Sequence, residues 1–308
     1  MATEDSYSLI GKLQAVDLSD AETRDGILFA LPYLALFSVF LLYPLLKGFY
    51  MSLFDWNAFA PAQSEFILFE NYARMLSDPE FWKSVRATVV FVVLTVPTLV
   101  VLGLALALGV NRDIKGQTLL RTVFFSPYVL TVSVVSLIWA ELYAPQYGAI
   151  NYYVGYLIQS PPSWLNSFTW AMPAIAIATI WWTVGFNFVI LLAARQSVPE
   201  RLYEAAKIDG ASSWRAFKDI TLPQMRSAIV FVTTVQFIWS FQVFGQAYIM
   251  TNGGPGESTQ TLVMYLFRMA FNEGQFGYAA AVGYFLFFVL VAVSLGNYYF
   301  VSGGQEAA

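Results

Sequence analysis

Six stretches of this chain, 26–46, 87–111, 122–140, 142–194, 227–256 and 274–305, contain no Asp, Glu, Lys or Arg. An α-helix crosses the hydrocarbon core of a bilayer with roughly 20 mostly apolar residues, so each stretch has room for one crossing. Only 12% of the residues are charged, against about 25% in ordinary soluble chains. The pattern predicts an all-α polytopic membrane protein with six transmembrane helices near 27–49, 87–110, 121–142, 171–194, 227–250 and 278–301. A single transmembrane domain then occupies 27–301 of the 308 residues, between polar tails at 1–26 and 302–308.

The stretch 142–194 is long enough to hide a second crossing, but its first half argues against one. Asn, Gln and Ser are scattered through it, with Pro145, Pro161 and Pro162, and Pro173 just beyond. Only Ile150 to Ile158 is compatible with lipid, and Asn151 interrupts even that. Tyr152, Tyr153, Tyr156, Trp164 and Trp170 suit an aromatic belt at headgroup level. Charge agrees with six crossings. With the N-terminus inside, eleven Lys and Arg fall on the cytoplasmic side, and five (Lys47, Arg74, Lys83, Arg86 and Arg268) on the other. The positive-inside rule therefore puts both termini in the cytoplasm. The first 26 residues lack a signal-peptide layout, so the first span is expected to stay as an anchor.

Composition also removes whole classes of chemistry. The chain has no Cys and no His, so thiolate metal sites, disulfides and the usual neutral-pH base are absent. A net charge of −4 argues against nucleic-acid binding. No GxxxxGK[ST] sequence occurs, so the chain has no phosphate-cradling loop for ATP.

Between two apolar stretches lies a polar interlude, 195–226, with six basic residues. Ser197 and Glu200 have capping-box spacing, and Pro199 falls in a first helical turn, which predicts a helix over about 198–209. Gly210 supplies a left-handed terminator, Ser212 can cap a second helix to about Asp219, and Pro223 interrupts before the next span. Leu202, Tyr203, Ile208, Trp214 and Phe217 are apolar residues in need of cover. A partner protein would use them as anchors; alternatively the helix lies on the inner leaflet.

The layout Glu204-Ala205-Ala206, Asp209-Gly210-Ala211, then Ile220, Leu222 and Pro223 resembles the EAA loop of permease subunits in binding-protein-dependent ABC importers. Three further stretches resemble the carbohydrate branch of that family. They are Leu31-Pro32-Tyr33, the segment from Tyr43-Pro44 to Phe54 with Phe69 to Tyr72, and Thr251-Asn252-Gly253-Gly254-Pro255-Gly256 followed by Ser258, Thr259 and Tyr265. The resemblance covers nearly the whole chain and fits compact six-span members. It implies that 195–226 docks in a cleft on an ATP-binding subunit, with Glu204 and Gly210 at the core of the coupling element. It further implies a second, different permease, two ATP-binding subunits carrying the ATP and Mg, and an extracytoplasmic solute-binding protein. This chain itself would bind no cofactor and catalyse no reaction. A homodimer is the other arrangement open to it.

A solute path should show as polar residues aligned along span faces. Thr179, Thr183 and Asn187 recur every four residues, with Trp181, Trp182 and Phe186 around them. Gln236, Trp239, Gln242 and Gln246 share one arc of the fifth span. Amides and aromatic rings are what a neutral sugar needs, although such residues also join helices to one another. The spans hold no internal charge, which disfavours an ion-coupled secondary transporter and a glycerol-phosphate substrate, and leaves an intramembrane enzyme without a base. The apolar segment Thr261 to Phe271, marked by Arg268, is expected on the outer surface as a docking element for the binding protein.

Overall fold

A computed structural model describes residues 21–111 and 116–302; most of the N-terminal tail, Arg112, Lys115 and 303–308 lie outside the described residues. The chain divides into two compact units, 1–51 and 52–308, so the domain expected over 27–301 is described in two parts. In the first, α1 (Ala21–Phe37) continues through a π-turn at Ser38–Leu42 into α2 (Tyr43–Ser52). The π-turn lies just before Pro44, whose ring has no N–H and crowds the carbonyl four residues back; the wider turn accommodates both. The resulting span, Arg24–Ser52, contains the expected 27–49.

The second unit opens with a two-stranded antiparallel hairpin, β1 (Phe54–Asp55) with β2 (Glu65–Phe66), and the short α3 (Glu70–Ser77). The next helix, α4 (Pro79–Val110), begins earlier than the expected 87. Asp78 caps it, its carboxylate accepting from Glu80 N at 2.9 Å, and Pro79 fits the first position. Helix-start chemistry therefore sets this boundary, and the absence of charge does not.

Two expected spans are broken. In place of one helix over 121–142, α5 (Gln117–Phe125), a 3-10 turn at Ser126–Val129 and α6 (Val132–Leu142) form a pair bent by 99°. Pro127 weakens the ladder, Leu130 and Thr131 are extended, and Thr131 Oγ1 caps the new helix by accepting from Val134 N. The polar link that follows contains α7 (Ala149–Val154). There Asn151 accepts from Trp164 Nε1 at 2.7 Å and donates to Ala144 O, bracing the segment it disqualified as a span.

Helix α8 (Ala171–Gln196) matches its expected span closely, and the loop after it contains α9 (Glu200–Ile208), α10 (Ser213–Ala216) and α11 (Leu222–Gln224). The second broken span follows: α12 (Arg226–Phe241) and α13 (Gly245–Thr251) meet at 44° where one helix over 227–250 is expected. A turn at 252–260 leads to α14 (Leu262–Phe267), and α15 (Phe276–Ser302) ends the described chain. Among the described residues, four helices are long and apolar enough to cross a membrane, and six crossings result when each bent pair is one span. Of the buried clusters, one centres on Phe81, Tyr265 and Tyr278, and another, at the loop end, on Phe188, Leu191 and Met225.

Candidate functional site

The loop joining α8 to α12 is built differently at its start from the capping-box expectation. Ser197 Oγ donates to Ala194 O at 2.7 Å and so closes α8; Pro199 takes the cap position of α9, which leaves Glu200 as the first helical residue and no box. The end of α9 follows the expected chemistry. Gly210 has φ +74°, and Ala211 N bonds Ala206 O at 2.8 Å, the wrap-around bond of a left-handed helix terminator. Ser212 accepts from Arg215 N at 3.3 Å, but the second helix is shorter than expected and passes into a π-turn at Phe217–Thr221. Pro223 sits in the first turn of α11 and does not interrupt there.

Sequence alone puts too many apolar residues on the outside of this loop. Leu202, Tyr203 and Ile220 turn inward onto the cluster of Val198, Met225 and Leu192. Tyr203 is held by the Arg195 guanidinium, 4.2 Å from its ring centre, and by Thr221 Oγ1 at 2.9 Å. What stays outside is a compact surface: Glu204, Ala205, Asp209, Gly210 and Pro223 exposed, Ala206, Ala211 and Leu222 half-buried. Ile208 at 87% and Trp214 at 71% exposure stand beside them.

Farther along α8 and α12 the two broken spans, with α8, line a cavity of about 550 Å³ that is open on one side. Bare backbone cannot face lipid, so breaks of this kind occur where they are covered by protein or line a cavity. The carbonyls freed at each break are taken by side chains: Trp182 Nε1 donates to Leu130 O at 3.0 Å, and Thr261 Oγ1 donates to Val243 O at 2.7 Å. Small residues let the pieces close up. A Cβ on Gly185 would meet Phe124 O at 2.4 Å, and one on Gly245 would meet Val132 Cγ2 at 2.9 Å.

Five of the six residues expected along the path, Thr183, Gln236, Trp239, Gln242 and Gln246, line this cavity together with Thr179 and Trp182. Asn187 does not; it is fully buried and accepts from Gln236 Nε2 at 2.8 Å. Tyr128 and Ser240 line it too and had no sequence signal, Tyr128 because it sits in the 3-10 turn outside any helical face. Trp239 and Tyr128 form an aromatic wall, with stacked rings whose centres lie 6.4 Å apart, and Phe186, outside the lining, packs against both. Thr179 and Thr183 donate to carbonyls one turn back, so toward the cavity they act as acceptors. Among the described residues, no Asp, Glu, Lys or Arg lines it. Amide and hydroxyl groups beside aromatic faces bind neutral polyhydroxyl compounds.

At the opposite end, Thr261 to Phe271 turns mostly inward, with Phe271 its one exposed residue. Leu262, Met264, Tyr265 and Met269 are buried, because both tyrosines of the cluster reach Asp78: Tyr278 OH donates to Asp78 Oδ2 at 2.8 Å, and Tyr265 OH donates to the same oxygen. Burial opposes ionisation of Asp78, but these bonds and the N–H groups of Glu80 and Phe81 outweigh it and hold the carboxyl below its usual range. Arg268 is an anchor here, bonding Glu80, Glu257 at 3.1 Å and Gln260 at 3.1 Å.

Residues 73–300 match the family described as "Binding-protein-dependent transport system inner membrane component". The chain is 36% identical to the sulfoquinovosyl glycerol transport system permease protein SmoG of Agrobacterium fabrum, over 87% of each chain. It is also 36% identical to the trehalose/maltose transport system permease protein MalF of Thermococcus litoralis, over 88% of this chain and 90% of that one. With the lactose transport system permease protein LacF of Rhizobium radiobacter the identity is 34%, over 89% and 93%. A crystal structure of a bacterial ABC transporter that imports the acidic polysaccharide alginate shares the fold, with TM-score 0.76, 21% identity, and 91% and 96% of the two chains covered. This chain is a multi-pass membrane protein and belongs to the binding-protein-dependent transport system inner membrane component family.

Proposed function

We propose that this inner membrane component of a binding-protein-dependent system is the permease subunit of an ATP-driven importer for a neutral sugar. The observation that carries the substrate class is the uncharged cavity, where glutamines and threonines sit beside the rings of Tyr128, Trp182 and Trp239. The names of the 34–36% identical relatives support a sugar as cargo. A glycerol-3-phosphate cargo is disfavoured, because no cation waits in the cavity for its phosphate. A self-sufficient secondary transporter is disfavoured by the same lack of charge, since ion coupling commonly uses ionisable groups inside the membrane.

The loop supports the energy source. It connects α8 and α12, the two helices that bring Thr183, Gln236 and Trp239 to the cavity. A partner that grips the exposed Glu204 to Gly210 surface and moves would tilt both helices at once. In this reading two ATP-binding subunits hold the ATP and Mg, and this chain hydrolyses nothing. A second permease completes the open side of the cavity, and an extracytoplasmic binding protein delivers the sugar. Both termini and the 195–226 loop face the cytoplasm.

The test is co-purification with the candidate ATP-binding subunits, comparing the wild-type chain with Glu204→Ala and reading solute-stimulated ATP hydrolysis. Loss of stimulation by about tenfold or more is expected if Glu204 is a central contact. Full association and full stimulation in the variant would remove the loop from the coupling role. Uptake of maltose, trehalose and lactose against glycerol-3-phosphate in proteoliposomes then decides the cargo class.

A further inference from the structure

Asn187 is fully buried, yet only half of its amide is bonded: Oδ1 accepts from Gln236 Nε2 at 2.8 Å, and Nδ2 has no partner. A polar side chain serving only to join membrane helices is expected to satisfy both ends, because an orphaned buried NH2 carries its full desolvation penalty. Leucine would fill the position without that penalty. The asymmetry puts weight on the one bond that is made.

Its partner is a cavity residue. Gln236 lines the cavity and is itself only 2% exposed. The bond to Asn187 holds the amide of Gln236 by Nε2 and leaves Oε1 as its open acceptor. An unrestrained glutamine can offer either a donor or an acceptor, because its last torsion is a broad two-fold well. The bond to Asn187 fixes which way the amide is turned. The position of Asn187 is fixed in turn by a close helix crossing: a Cβ on Gly103 of α4 would come within 2.8 Å of Asn187 Cβ. It also lies one turn from Thr183, on the loop side of the cavity, where α4, α8 and α12 converge.

We propose that Asn187 is a positioning residue that fixes the amide of Gln236, so that a solute hydroxyl meets an acceptor at this point of the cavity. The proposal rests on the cavity being the solute site. It makes the selectivity of the path depend on a residue that touches no solute.

A double-mutant cycle in the assembled importer tests it. Uptake of labelled maltose, trehalose and lactose is measured in proteoliposomes for the wild type, Asn187→Leu, Gln236→Leu and the double variant. Each single change is expected to raise KM about tenfold, more than it lowers Vmax, and the double variant to be no worse than either single. Additive losses overturn the positioning role. So does a wild-type KM in Asn187→Leu beside an impaired Gln236→Leu, and that outcome leaves the cavity reading standing. If Gln236→Leu keeps the wild-type KM for every sugar, the cavity reading fails and the proposal falls with it. Melting the same four proteins in detergent needs no solute. The double variant should regain part of the melting temperature lost by Asn187→Leu, since removing both partners leaves nothing unpaired. Independent shifts would show that Asn187 does not hold Gln236, and would overturn the proposal.

Discussion

The two ends of the second unit use charge in opposite ways. At the loop end the ion pairs are long or wet: Arg195 to Glu200 spans 4.0 Å, and Arg215 to Asp219 spans 3.5 Å with both side chains more than half exposed. At the other end, Arg268 ties Glu80 at the start of α4 to Glu257 and Gln260 in the 252–260 turn. Asp78 collects the hydroxyls of Tyr265 and Tyr278 beside it. Exposed pairs contribute about 0–1 kcal/mol, whereas a partly buried network of several bonds rigidifies what it joins. The loop end keeps Ile208 and Trp214 uncovered; the braced end turns Met264, Tyr265 and Met269 inward. The difference is between an exposed, weakly paired surface and a frame that holds its own helices in place.

Four changes would break or sharpen this contrast. Gly210→Pro should have the largest effect. Proline cannot adopt φ +74°, and it deletes the N–H that bonds Lys207 O. The loop turn should collapse, abolishing stimulated ATP hydrolysis, while a side chain at this position would meet nothing within 4 Å and so adds no clash with the membrane helices. Trp214→Ala comes next. It should weaken association with the ATP-binding subunits roughly 10- to 30-fold, read by titration, with no fall in melting temperature. Equal affinity would make the exposed ring a lipid contact instead.

At the braced end, Asp78→Asn should do the reverse, lowering the melting temperature by about 3–6 °C while leaving partner affinity intact. Because the folded carboxyl is held below its usual range, its stabilisation is present at neutral pH and fades as pH falls through that range. The gap between wild type and Asp78→Asn should therefore narrow below about pH 4. A gap that persists in acid would mean the ionised form is not what stabilises this end. The smallest effect is expected from Arg215→Ala, which removes an exposed i,i+4 pair and should leave the melting temperature where it was.

How much of this was legible in the sequence depended on whether the signal was local. Gly210 could be read because a left-handed helix terminator asks for glycine whatever surrounds it. The outward residues of the loop could not be sorted in advance. Leu202, Tyr203, Ile208 and Trp214 look alike as apolar letters, and only packing against Val198 and Met225 hides the first two. The span faces are a mixed case. Gln236 and Trp239 share a face because α12 is regular as far as Phe241, but Gln242 and Gln246 lie at and beyond the break. The 44° turn keeps them in the cavity because both pieces wrap the same space, which periodicity on an unbroken helix does not describe.

Taken alone, the sequence determined that this is a helical membrane protein, roughly where its helices run, and where the polar loop interrupts them. Those properties follow from transfer of side chains out of water and from backbone preferences that each residue carries wherever it sits. Tertiary structure decided that two of the spans break, that the breaks meet, and that the amide of Gln236 is held by Asn187. Those outcomes depend on which carbonyls find Trp182 and Thr261, and on how closely Gly103, Gly185 and Gly245 let neighbouring helices approach. Such contacts join residues far apart in the chain, so no local pattern of letters encodes them.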